Sequence, residues 1–457
     1  WTVTVVKKDI GCTIAGIIED TMAIDPSAGS AVNPISIPLS FDIDLTTPGM
    51  WADILAAIQS AEKYVDLDLS ACAMSVGGVA STEFDPGAAD TGESRIVSLV
   101  LPDGAESVKA GTFLIETFTL ESAFKNFTAL KSVEGDNVVT VGNVAFTSCT
   151  TLESVSFPAA ASIGDYAFAA CALTMVDFPK AISIGDLAFY GCTGLAMADF
   201  PLVTNLGNSV FQGCAALTTA SLPLVTSLGS NVFQGCTALR TVSLPEATGI
   251  DSGAFSGCTA LMTANLPLVT SLGNNAFQGC IALAAADFPL AERIGNAAFE
   301  GCAALSMVDF PKVASRVGTG AFKGCTALTM ANLPLADSIG YYAFSGCTAL
   351  TTAYFPKASI GYDAFANTGT KDLTVTLGNE APMMGTNLFN GVTSPKTVTV
   401  KVPAGATGYA VTLPATYSGA DTTDNWGNAF RGKGWGPFYL TGTVNENITL
   451  NIVEYTP

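Results

Sequence analysis

Phenylalanine recurs along most of this chain at a nearly constant interval. Phe124, Phe146, Phe168, Phe189, Phe211, Phe233, Phe255, Phe277, Phe299, Phe322, Phe344 and Phe365 lie 21 to 23 residues apart, mostly 22. From Phe146 to Phe344 the same wording follows each ring: Cys three residues on, then Leu, then an apolar-Pro pair, then Ile/Leu-Gly before the next ring. A repeat this short cannot enclose a core of its own. Each turn must bury its apolar side chains against its neighbours, which is the defining condition of a solenoid. Such a chain offers a long ribbon of surface instead of one catalytic cleft.

The turn 233–254 shows how the wording becomes structure. Leu239, Val242 and Leu244 spell L-x-x-V-x-L. Alternation along a short strand turns Val242 and Leu244 inward and Thr241 and Ser243 outward. Pro245 has no N–H to extend a ladder, so it ends the strand. Equivalent prolines stand at 158, 179, 201, 223, 267, 289, 311, 334 and 356. A second arm carries an apolar-Gly pair, from Ile163-Gly164 to Ile360-Gly361, and the glycine predicts a tight corner or a positive φ. Ile250-Asp251 departs from that pattern, and Asp tolerates the left-handed region better than most residues. The Ala-Phe that follows is expected to drive its ring into the core from a short helical turn or bend.

This wording resembles the BspA-like class of bacterial leucine-rich repeats, whose turns run L-x-x-L-x-L-P…I-G-x-x-A-F-x-x-C. The match covers about residues 120–370. It is looser upstream, where Ile96, Leu99 and Leu101-Pro102 keep the strand pattern and Val108 precedes Lys-Ala-Gly. The resemblance implies a leucine-rich repeat solenoid, right-handed, with turns of about 22 residues and one short parallel β-strand each. Family members are typically exported or surface proteins of host-associated bacteria, and many act in adhesion. An extracellular or cell-surface location is therefore expected.

Composition narrows the function classes. The chain has 457 residues, 13% charged and 49% hydrophobic, and no unbroken apolar stretch long enough to span a membrane. Its net charge of −20 repels phosphate backbones and argues against nucleic acid as a partner. There is no histidine. That removes Ser-His-Asp and Cys-His nucleophiles, H-E-x-x-H zinc sites and most zinc ligation. Carboxylate-pair chemistry is the main enzymatic option left. The chain starts at Trp1 with no initiator Met, so it is expected to be a mature or trimmed product in which any export signal is not visible.

Ten cysteines sit three residues after a repeat Phe: 149, 171, 192, 214, 236, 258, 280, 302, 325 and 347. Three readings compete. The thiols pack as small buried hydrophobes, or they bridge successive turns, or they bind metal. Equivalent side chains on stacked turns point in parallel and would have to swing together to bridge. The ladder shows no C-x-x-C spacing. Cys12 and Cys72 fall outside it and are close enough in kind to pair with each other.

The rod needs covers at both ends. Residues 1–47 read as a small β element: 34–45 alternate almost perfectly, and Trp1, Val3 and Val5 suggest a second strand. Residues 48–120 read as a helix and strand cap with degenerate first turns. A helix is predicted over 50–63, with Trp51, Ile54, Leu55 and Ile58 on one face, and a strand over 64–70. The solenoid proper spans 121–390, with Phe389 a last degenerate rung. Residues 391–457 read as a β-rich cap or small domain. Within it, 426–439 hold Trp426, Trp435 and Tyr439 near Arg431 and Lys433, a set that either closes the core or stacks on sugars.

The outward strand positions are expected to stack into two parallel columns. The candidate binding surface comprises Met175, Asp177, Met197, Asp199, Ser221, Ser243, Asn265, Asp287, Met307, Asp309, Met330, Asn332 and Tyr354. Asp177 stands one rung from Asp199, and Asp287 one rung from Asp309. Such pairs invite a cation, yet one pair supplies too few ligands for a tight calcium site. Their separation also fits a retaining glycosidase, but an open flat sheet offers no pocket to exclude water. The reading that results is non-enzymatic, with no cofactor. The expected partner is a host or neighbouring-cell protein bound on the exposed face; a glycan bound in the C-terminal region, or a spacer with no ligand, are the alternatives.

Overall fold

The computed structural model describes residues 10–25, 27–39, 45, 50–76, 79–80, 82–86, 92–114, 119–378, 388–389, 391–392, 396–404, 415–417 and 448–455. The chain divides into two compact units, residues 1–224 and 225–457.

The first unit opens with helix α1, Ile10–Ile24, and helix α2, Met50–Ala61, with strand Ile35–Pro38 between them in sequence. Helix α1 corrects the β reading of residues 1–47. Its isoleucines favour strands by propensity, but Ile14 and Ile18 lie one helical turn apart and both are buried, so tertiary packing overrides propensity. Of the long strand expected over 34–45, Ile35–Pro38 is formed; residues 40–44 and Trp1, Val3 and Val5 lie outside the described residues. Helix α2 buries Met50, Ile54, Leu55 and Ile58. Trp51, expected on that face, is half-buried, with its indole N–H donating to the carbonyl of Pro86 at 2.7 Å.

Six strands then pair in parallel on one arm: Ile35–Pro38, Val65–Asp68, Ile96–Val100, Ser132–Glu134, Ser154–Ser156 and Met175–Asp177. Six shorter ones pair on the other arm, from Glu83–Phe84 to Asn205–Leu206. In the second unit the corresponding second arm carries seven strands, from Ser227–Leu228 to Ser359–Ile360. Its first arm ends in a parallel run from Met307–Asp309 through Met330–Asn332, Thr352–Tyr354, Leu373–Thr376 and Lys396–Pro403 to Ile448–Tyr455. The described C-terminal strands thus extend the strand face of the repeats.

The core is a set of stacked columns. In the first unit Phe146, Phe168, Phe189 and Phe211 succeed one another at centroid distances of 5.2, 5.5 and 5.6 Å with rings within 6° of parallel. In the second, Phe255, Phe277, Phe299 and Phe322 do the same at 5.1 to 5.4 Å. Offset stacking at these distances adds to the burial of each ring. A second column begins where the strand ends in Phe-Pro, and Phe178 and Phe200 pack beside the first at 5.7 to 6.1 Å.

Of the two reasons expected for glycine at the apolar-Gly pair, a tight corner and a positive φ, only the second fails. These glycines do not take a positive φ. They are small because turns approach closely there: a Cβ on Gly295 would stand 2.5 Å from the backbone of Gly273. The positive φ falls two residues later, at Tyr166, Leu187, Ser209, Asn231, Gly253, Asn275 and their equivalents. Asp251 therefore has no left-handed conformation to support; Gly253 takes that role in its turn, at φ +67°.

Candidate functional site

The strand face delivers the two expected columns, rung by rung. In the first unit Met175 stands beside Ser154 and Asp177 beside Ser156. Met197 faces Thr219, and Asp199 faces Ser221. Alternation explains the direction: Ala198 and Ala220, between these residues, are buried. Met175 and Met197 are 62% and 60% exposed, a large apolar area for two adjacent turns. Asp177 and Asp199 are exposed and Ser221 is half-buried.

In the second unit Ser243, Asn265, Asp287, Met307 and Asp309 are exposed. Asn265 faces Asp287, and Met307 faces Met330. Met330, Asn332 and Tyr354 are half-buried, so this end of the column presents less surface than its sequence suggests. Asn332 donates from Nδ2 to Asp309 Oδ1 at 2.8 Å, which ties two rungs together.

The ladder on this face is interrupted between Met175–Asp177 and Met197–Asp199, and again between Ala285–Asp287 and Met307–Asp309. Both interruptions fall where aspartates occupy the same column on successive turns. Like charges directly opposite one another weaken strand pairing. The neighbouring backbone bonds are long there, 3.3 Å from Ala196 N to Thr174 O and 3.4 Å from Ser306 N to Ala284 O. A third interruption, between Thr241–Ser243 and Thr263–Asn265, has no charges, so repulsion is not required for a break. Among the described residues no group of three or more His, Cys, Asp or Glu side chains is placed to hold a metal ion.

The cysteines form a second ladder, inside. In the first unit Cys171, Cys192 and Cys214 donate from Sγ to the carbonyls of Phe146, Phe168 and Phe189 at 3.0 to 3.1 Å. In the second, Cys258, Cys280, Cys302, Cys325 and Cys347 repeat the bond to the Phe of the preceding turn at 3.1 Å. All ten are free and buried, the small-hydrophobe reading, and desolvation pushes thiols such as Cys280 up to about 12. Cys72 is also a buried free thiol, so the suggested bridge to Cys12 is not formed.

A third ladder escaped the sequence reading. The residue after the apolar-Gly pair carries a short acceptor that receives the N–H of the next turn. Asn143, Asp165 and Asp186 accept in succession from Asp165, Asp186 and Asn208 at 2.6 to 2.9 Å. In the second unit Asn274 and Asn296 accept from Asn296 and Thr319 at 2.8 Å. The signal was present as Asn or Asp after glycine on consecutive turns. The residues 426–439 expected to close the core or meet sugars lie outside the described residues.

Stacked short parallel strands, a phenylalanine column and an exposed strand face define a leucine-rich repeat solenoid. Six copies of the BspA type leucine-rich repeat region match this chain over residues 117–239, 161–284 and 270–396. More than half of the sequence is covered, and the chain belongs to that family. A leucine-rich repeat protein from Bacteroides ovatus is similar in fold, at 23% identity and a TM-score of 0.51, over 67% of this chain and 79% of that one. A leucine-rich cell surface protein from Faecalibacterium prausnitzii aligns at 26% identity with a TM-score of 0.36, over 66% and 83%. No curated protein matches. No helix among the described residues is long and apolar enough to cross a membrane.

Proposed function

We propose that this is an exported or cell-surface protein that binds a protein of a host or neighbouring cell through its exposed strand face, without catalysing a reaction. The observation that carries the reading is the paired columns: exposed methionines on one side and exposed aspartates on the other, repeated in each unit at Met175/Asp177, Met197/Asp199 and Met307/Asp309. Methionine adapts to differently shaped apolar surfaces. Carboxylates beside it select basic partners and steer their approach. An open sheet gives such a partner area without enclosing a small substrate. The family, whose members are typically exported, supports the surface location.

The test replaces Asp199 and Asp287 with Ser in the full chain and compares capture of host-cell surface proteins with wild type. Reduced capture of a defined partner supports this face. Unchanged capture of every partner places the surface elsewhere, and no capture at all favours a spacer.

A further inference from the structure

Two late turns of the second unit abandon the short acceptor described above. Where earlier turns place Asn274 and Asn296 after the apolar residue and glycine, these place Tyr341 and Tyr362, and Tyr342 follows Tyr341. Neither phenol offers the short side-chain oxygen that caps the next turn's N–H. The rings do not compensate by burial either: Tyr341, Tyr342 and Tyr362 are 53%, 42% and 39% exposed. In so regular a repeat, exposed aromatic area at a position that elsewhere does structural work marks a surface with another use.

The geometry limits what that use is. Tyr362 stands edge-on to both neighbours, with centroids 6.5 Å from each and rings inclined 76° to Tyr341 and 70° to Tyr342. Two exposed walls meet at a corner. The Arg316 guanidinium lies 5.5 Å from the Tyr341 centroid and donates to Thr319 Oγ1 at 3.0 Å. Asp363 contributes a carboxylate beside the Tyr342 hydroxyl, whose pKa its charge raises. A cationic ligand would have to displace the tethered cation already over Tyr341. A phosphate-bearing ligand meets a chain of net charge −20. A neutral ligand with a flat C–H face and peripheral hydroxyls meets neither obstacle. Its C–H face stacks on a ring, while Arg316, Thr319 and the phenols serve its hydroxyls.

We propose that Tyr341, Tyr342 and Tyr362 form a binding site for a neutral pyranose carbohydrate. The site is independent of the strand face and stands or falls without it.

The full chain is titrated by calorimetry with neutral hexasaccharides of β-1,4-glucose, β-1,3-glucose, xylose, mannose and N-acetylglucosamine, and with choline and hexalysine. At least one hexasaccharide is expected to bind. The double variant Tyr341→Ala/Tyr362→Ala should weaken it about tenfold or more, and Tyr341→Phe/Tyr362→Phe, which keeps the rings, only about threefold. Tyr190→Ala, an exposed tyrosine of the first unit, should stay within about twofold of wild type. The proposal is overturned if no hexasaccharide binds, if the Ala variant binds as wild type, if the Phe variant loses as much as the Ala variant, or if choline or hexalysine binds in place of sugar. Circular dichroism confirms that each variant is folded.

Discussion

Cys280 Sγ lies 3.1 Å from the carbonyl oxygen of Phe255, one turn back in the coil, and donates its proton to it. The bond recurs along each unit, so protonated thiols are part of how successive turns are joined. Ionising one would leave a buried thiolate facing a carbonyl oxygen.

Alkaline pH should therefore destabilise the fold. The unfolded chain releases thiol protons near the ordinary value of 9.0, whereas burial pushes Cys149, Cys192, Cys280 and Cys325 up to about 12. Stability from these groups is fully present below pH 9 and is lost as pH rises toward 12. Each thiol contributes a slope of about 1.4 kcal/mol per pH unit in that window. Lys396 acts in the opposite sense: burial lowers its pKa from 10.5 to about 8, so stability gains between those values. One lysine does not offset four thiols. Urea unfolding at pH 9, 10 and 11 should show a falling midpoint, and Cys280→Ala should make the fall shallower.

Thiol accessibility gives a separate check. With every ladder cysteine buried, a bulky thiol reagent should modify native protein no faster than the protein opens, and should modify all twelve cysteines in urea. Prompt reaction of most cysteines in native protein would contradict the stacked interior.

Phe255 is wholly buried and stacks on Phe233 at 5.4 Å and on Phe277 at 5.1 Å. Phe255→Ala should cost about 3–5 kcal/mol, because flanking turns cannot close the gap without breaking their own register. Chemical denaturation measures the loss.

Gly295 and Gly249 make a paired test. A methyl on Gly295 meets the backbone of Gly273 at 2.5 Å, while one on Gly249 finds its nearest neighbour, Ser227 Oγ, at 3.7 Å. Gly295→Ala should cost about 1–3 kcal/mol or more by overpacking. Gly249→Ala should stay within about 0.5 kcal/mol of wild type. Thermal melts of the two variants separate close approach from backbone flexibility as the reason for glycine at the corner.

Much of the fold was legible because its determinants are local and repeated. Phe255, Cys258, Leu261 and Pro267 each recur at the same place in neighbouring turns, and stacking amplifies that regularity into a column. Helix α1 was not legible, since nothing repeats it and its isoleucines point to strand until Ile14 and Ile18 are buried together. The candidate surface was half legible. Outward direction followed from alternation around Ala198 and Val308, but exposure did not, and Met330, Asn332 and Tyr354 proved half-buried.

The class of fold, the identity of the stacked side chains and the outward strand positions are written in the repeat, because a period of about 22 residues forces equivalent residues into contact. What each contact does emerged from the packing of the turns. That packing assigned glycine to close approach, thiols to carbonyl bonds and post-glycine Asn and Asp to the next turn's N–H. It also set breaks in the strand ladder beside stacked aspartates, and a corner of three tyrosines. These depend on distances across turns, which a linear period orders but does not measure.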